Sequence, residues 1–129
     1  MREILFRGIC KDSKRWVYGY YVHFEDFSQG INNHSICSGY YNTHFEVIPE
    51  TVGQDTGLKD LHGKYIFEGD IVKVYDVYCN ETVVGVVEFC DGSFRICDKD
   101  FTSYDRWMYC KVEVIGNIHD NPELLEVKQ

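Results

Sequence analysis

A chain of 129 residues with 44% hydrophobic side chains has the size of one domain, or of one domain with a small appended subdomain, and enough apolar surface for a core. Thirteen Lys and Arg against 21 Asp and Glu leave a net charge of −8, which repels polyphosphate at long range and argues against sequence-independent nucleic-acid binding. No window approaches the roughly 18 consecutive apolar residues that span a bilayer, and Arg2, Glu3 and Arg7 stand where a signal peptide keeps its apolar stretch, so a soluble, cytoplasmic protein with no membrane partner is expected.

Ile4-Leu5-Phe6 up to Cys10, and Trp16 to Phe24, read as two strands of a hairpin. Lys11, Lys14 and Arg15 lie between them and are more simply solvated turn charges than a phosphate site. On the second strand Trp16, Tyr18, Tyr20, Val22 and Phe24 share one face and Val17, Gly19, Tyr21 and His23 the other, so the aromatic face is expected to be buried. Gly19 leaves room opposite a large neighbour. Glu25 to Ser38, rich in Asn, Ser and Gly, reads as a loop, the likeliest segment to move. A further strand is expected over Tyr40 to Ile48, closed or placed at an edge by Pro49, which lacks a donor.

Thr51 to Val74 strings Gly53, Gly57, Gly63 and Gly69 through polar surroundings, each a place where a turn can take a positive φ, and anchors them with Ile66-Phe67 and Ile71-Val72. Ile71 to Tyr75, Thr82 to Phe89, Ser93 to Cys97 and Lys111 to Ile118 follow as strands, and Asp91-Gly92 is a two-residue hairpin signal. Asp98 to Tyr109 reads as a longer loop or a short edge strand. Asn121, Pro122 and Glu123 open a short helix through capping, preset φ and the macrodipole. Phe67, Ile71, Val87, Phe89, Val112 and Val114 are the expected core. The expected fold is mainly β: an N-terminal hairpin subdomain over residues 1–50, then a small SH3-like barrel with a terminal helical turn over 51–129, the two also readable as one integrated domain.

Six cysteines, Cys10, Cys37, Cys79, Cys90, Cys97 and Cys110, are scattered without a CxxC and read as free, mostly buried thiols rather than zinc ligands or disulfides. His34, Cys37 and His44 come nearest to a metal set but lack a second pair, so no metal or other cofactor is expected. Glu68 and Asp70 could share acid and base roles, yet two acids flanking a glycine are more simply a turn. Asp91, Asp98 and Asp100 lack the dense oxygen spacing of a calcium loop, and there is no GxSxG, HExxH or P-loop, so an enzyme is not expected. Tyr18-Gly19-Tyr20 resembles the aromatic core of an RNA-recognition strand, but Trp16, Val17 and His23 break its flanks.

MREILFRG, WVYGY, VIPETVGQDTGLKDLHGKYIFEGDIV, GVVEF and EVIGNIHDNPELL together resemble the YopX family of small proteins encoded by phages and prophages of bacteria. The resemblance spans nearly the whole length and departs in the segments around Glu25 to Ser38 and Asn80 to Thr82. It implies a mainly β protein with no established biochemical activity. The setting implies an accessory factor that binds a host or phage protein, or a homo-oligomer; nucleic-acid binding through an aromatic platform, or an acidic mimic of nucleic acid, are the alternatives. Gly53, Gly57, Gly63, Gly69 and Gly116 are expected to set turns or close approaches. Thr56, Lys59, Asp60, Glu68 and Asp70 are the polar members of the central motif that would touch a partner, or would hold its turns through side-chain to backbone hydrogen bonds.

Overall fold

Strands dominate the computed structural model, which describes residues 4–38, 43–76, 80–98, 103–104 and 107–126, and the protein is accordingly mainly β. Residues 40–42 of the expected strand Tyr40 to Ile48, residues 99–102 and 105–106 of the expected loop, and Cys79 lie outside those described. The chain divides into two units, Met1–Asp55 and Thr56–Gln129.

In the first unit, β1 (Phe6–Ile9), β2 (Trp16–Asp26), β3 (Ile31–Ser38), β4 (Thr43–Glu46) and the start of β5 (Gly53–Lys59) form an antiparallel sheet in the order β4-β3-β2-β1-β5. β3 corrects the loop expected over Glu25 to Ser38. Its polar residues are compatible with a strand because the ladder from Tyr20↔Cys37 to Asp26↔Ile31 satisfies the backbone while Asn32 and Asn33 stay at the surface. The turn that joins β2 to β3 is held by Asp26, whose Oδ1 accepts from the Ser28 amide at 3.1 Å and from its hydroxyl at 2.6 Å.

The buried face of this sheet is the reverse of the one expected. Ile36 and Val47 are fully buried, Cys10 nearly so, and Phe6 meets Tyr21 with ring centroids 5.6 Å apart. Phe6 pairs with Gly19 and Ile36 with both Tyr21 and Phe45, so the Gly19-Tyr21 face of β2 turns inward and the Tyr18-Tyr20 face outward. Trp16 instead lies over the buried Arg7, whose guanidinium carbon is 4.5 Å from the ring centroid. Thr51, in the 3-10 turn Pro49–Thr51, closes the core by accepting from the Ile9 amide at 2.8 Å and donating to the Ile48 carbonyl at 2.6 Å.

In the second unit β6 (Tyr65–Phe67) neighbours β5, and β7 (Asp70–Asp76), β8 (Glu81–Cys90), β9 (Ser93–Cys97), β10 (Ser103–Tyr104) and β11 (Lys111–Asn117) form an antiparallel sheet in the order β10-β9-β8-β7-β11. Ile66, Val72, Val74, Val87, Ile96, Trp107 and Val112 make the core, with Val114 partly buried against it. The Trp107 indole N–H donates to the Phe94 carbonyl at 2.9 Å, so the largest core side chain leaves no polar atom unmet. Asp91 and Gly92, with φ of 52° and 83°, make the β8–β9 turn. Phe89 is not core: two residues past Val87 the hairpin has run beyond it, and Phe89, 53% exposed, packs edge-on against Phe94. The terminal helix is a 3-10 turn over Pro122–Glu126 rather than α-helix. Among the described residues no helix is long and apolar enough to cross a membrane.

Candidate functional site

Five alternate residues of β2, from Trp16 to Phe24, share a face, and four of them are open to water: Tyr18 53%, Tyr20 48%, Val22 46% and Phe24 53% exposed. Their partners across the β2–β3 ladder are Cys37 for Tyr20, Ser35 for Val22 and Asn33 for Phe24, none of them charged or bulky enough to cover the rings. Tyr18 pairs with Arg7 on β1, whose charge is buried under Trp16. Farther out, β4 sets His44 opposite Cys37 and Glu46 opposite Ser35. Cys37 Sγ lies 3.0 Å from His44 Nδ1, so the thiol donates to the imidazole or the reverse according to tautomer.

On the opposite face Tyr21 hydrogen-bonds His34 Nδ1, and the His23 and His34 rings stack with centroids 4.0 Å apart. Burial pushes the Tyr21 phenol above its ordinary pKa. His23 is held by Asn32 at 2.7 Å and Glu25 at 3.3 Å. His34 and Cys37 are an odd number of residues apart on one strand, so they point to opposite faces, and the set His34, Cys37 and His44 is never gathered. Among the described residues no three His, Cys, Asp or Glu side chains are placed to hold a metal ion. The five described cysteines are free thiols, and of these only Cys10 is buried while Cys90 is exposed, which corrects the expectation of mostly buried thiols.

The polar residues of the central motif turn largely inward. Asp60 Oδ1 accepts from the amides of His62 and Lys64, both at 2.9 Å, and Oδ2 from the amide of Val114 at 3.0 Å. Burial alone would raise its pKa; the three amides of Val114, Lys64 and His62, with the His62 charge, outweigh that and hold the carboxyl below its usual range. Asp70, 2% exposed, accepts from the Phe67 amide at 2.8 Å, and Thr56, 7% exposed, accepts from the Leu58 amide at 3.2 Å. Glu68 is half-buried between them in sequence, and Lys59 is exposed with its ammonium 5.0 Å from the Tyr65 ring centroid.

Gly57, Gly63 and Gly69 have φ of 84°, 79° and 92°, whereas Gly53 is a strand residue of β5 opposite Arg7 and not a turn. Gly116 sits at the register shift of β11, where a Cβ would come within 2.7 Å of Asn121 Oδ1 and 2.8 Å of Leu124 Cδ1. Gly69 is the constrained member of the set, because its N–H donates to Val87 at 2.8 Å and its carbonyl accepts from Ile118 at 3.0 Å. With both groups fixed, φ cannot relax, and Gly69→Val is expected to lose about 2 kcal/mol in denaturant unfolding; an unchanged midpoint would remove the strain argument.

The β2 face went unread in the sequence because the apolar content of its own strand points the wrong way. The usable signal lay on β3 and β4, where Ile36 and Phe45 are in register with Tyr21 rather than Tyr20.

Against known proteins, the model of the YopX protein family matches residues 5–126. The chain therefore belongs to the YopX family. It is 36% identical over 72 residues to the SPbeta prophage-derived uncharacterized protein YopX of Bacillus subtilis strain 168, a match covering 51% of this chain and 54% of that protein, so it spans about half the length of this curated relative. Among solved structures it resembles protein EF1440 from Enterococcus faecalis, with a TM-score of 0.56, 28% identity and coverage of 97% of this chain and 99% of the other. It also resembles protein yopX from Bacillus subtilis, with a TM-score of 0.54, 24% identity and coverage of 93% and 96%, a likeness of fold.

Proposed function

We propose that this YopX-family protein is a protein-binding module whose contact surface is the outer face of β2. One observation carries the reading: Tyr18, Tyr20, Val22 and Phe24 form an unbroken exposed run on a single strand. A solvent-facing strand face ordinarily carries polar side chains. Here four large ones leave on the order of 400 Å² of mainly apolar surface open, the size at which a monomer's largest patch is often functional. Tyrosine supports such a role because it adds contact area with few rotamers to fix.

Charge narrows the partner. A net charge of −8 on each copy works against self-association, so the occupant is a host or phage protein with an apolar patch on a neutral or basic surface. The prophage origin of the Bacillus relative is carried over as part of this proposal, as is an intracellular accessory role without catalysis. The exposure of Tyr18 and Tyr20 also favours a second reading, an aromatic platform for single-stranded nucleic acid. Such platforms sit in cationic grooves, whereas Cys37, Ser35 and Asn33 flank these rings and Arg7 is buried. An acidic mimic would need carboxylates along one face, and level with Tyr18 to Phe24 the described residues of this face offer Glu46, already held by Lys11 at 3.1 Å. For the second unit we propose an SH3-like barrel, a reading supported by β7 to β10 pairing in sequence order and β11 returning beside β7.

The double variant Tyr20→Ser/Phe24→Ser should stay folded while losing about 2 kcal/mol, since each half-exposed ring still buries apolar area and serine is the poorer strand former. It should also lose the stoichiometric protein that the parent captures from nuclease-treated bacterial lysate. Equal capture by both forms contradicts the proposal. Nuclease-sensitive recovery of nucleic acid would favour the platform, and a doubled mass in light scattering would favour self-association.

A further inference from the structure

The end of β5, the turn after it and the segment leading into β11 enclose a groove of about 200 Å³ within the second unit. Its floor is Ile66, Trp107 and Val112, which are 0%, 2% and 6% exposed. Its rim is Leu58, Leu61 and Met108, held open to water at 38%, 50% and 46%. Large apolar side chains standing in water around an apolar floor mark a surface that gains by being covered.

Among the described residues of the lining, cations outnumber acids, against the net charge of the chain. Lys59 and Lys111 line it, and Lys59 is held over the Tyr65 ring rather than by a carboxylate. Among the described residues the one acid in the lining, Asp60, is committed to three backbone amides. On a molecule of net charge −8, two lysines beside an apolar recess draw an acidic segment to this place while the remaining surface repels it. Size decides what enters. The volume of about 200 Å³ is below the roughly 300–1,000 Å³ of a small-molecule site, and matches one large side chain.

We propose that this groove receives a single leucine, methionine or aromatic side chain from an acidic segment of a partner protein, with Lys59 and Lys111 meeting the flanking carboxylates. Leu58, Lys59, Asp60 and Leu61 all belong to the central motif, so the motif both folds itself, through Asp60, and presents a recess. The inference does not rest on the β2 face, which lies in the other unit and is read as meeting a neutral or basic surface.

The test is selection of a random dodecapeptide display library on the full chain, followed by binding of the selected peptides to Met108→Glu and to Lys59→Glu/Lys111→Glu. All three positions are exposed, and unchanged thermal unfolding would show that the variants fold. Expected are peptides with one large apolar residue among Asp and Glu, whose affinity falls at least about tenfold in either variant and weakens with salt. Basic flanks, equal binding to both variants, or a library that yields no binder overturns the proposal. Displacement of the selected peptides by dodecanoate would agree with occupancy of the groove; binding of dodecanoate with no peptide selected would overturn the acidic-segment reading in favour of a free amphiphile. Tyr20→Ser/Phe24→Ser should retain the peptides, which separates a failure here from a failure at β2.

Discussion

Asp60→Ala is expected to lose about 4 kcal/mol of folding stability, among the largest effects of any single substitution in the chain. Its carboxylate accepts from three amides, two in its own turn and one, Val114, fifty-four residues away on β11. Each charge-assisted bond is worth about 1.5–3 kcal/mol, and water reaching the exposed His62 and Lys64 returns part of it. Val114 is half-buried whereas His62 and Lys64 are exposed, so the bond to its amide is the one least shared with water. Asp60→Asn keeps one acceptor oxygen and should lose less.

The same contacts fix a pH signature. Because the folded carboxyl titrates below an unfolded aspartate at about 3.9, the stability it contributes is fully present above that value and is lost as pH falls through the lower folded pKa. The stability gap between the parent and Asp60→Asn, from urea unfolding at neutral pH and near pH 3, should therefore narrow on acidification. A gap independent of pH would mean that the carboxylate charge is not what holds the turn.

Gly19→Ala is expected to lose about 3 kcal/mol, or to unpair β3 from β2 altogether. Space is the cause here, rather than an unusual φ. A Cβ at Gly19 would lie far inside contact distance of the Cys37 carbonyl oxygen and 2.9 Å from its carbon, with Ile36 Cγ2 at 3.3 Å. The obstructing atoms are backbone in the neighbouring strand, so no rotamer change relieves them. Unfolding should shift to lower denaturant, and the amides of β3 should exchange faster than those of β8. A parent-like midpoint with unchanged exchange would show that the strands separate at little cost.

Much of the fold was legible because local rules and tertiary packing agreed. Asp91-Gly92 supplies the two positive φ values that a tight hairpin needs. The strands β7, β8 and β11 were legible from their apolar runs, which bring Val72, Val74, Val87 and Val112 into one core and bury Ile71 and Val86 as well. Asp60 and Asp70 were readable as turn residues because a short acid beside glycines bonds nearby amides.

The rest depended on partners distant in sequence. β3 carries few large apolar residues, since one face borders the open side of the sheet and the other holds the His23–His34 stack, so its pattern looks like a loop. The facing of β2 is set by Ile36 and Phe45 in register with Tyr21 on the neighbouring strands, and hydrophobicity along β2 alone selects the richer face, which is the exposed one. The site proposed for partner binding is thus where the local rule fails, as expected when a surface is kept apolar for something other than folding.

The most direct test is calorimetric titration of the captured protein against the parent chain and against Tyr20→Ser/Phe24→Ser, at a temperature where thermal unfolding shows both to be folded. Truncating two aromatic anchors in one patch should weaken binding by about 100-fold, or roughly 3 kcal/mol. Equal affinities for the two forms would contradict the assignment of the β2 face as the binding surface.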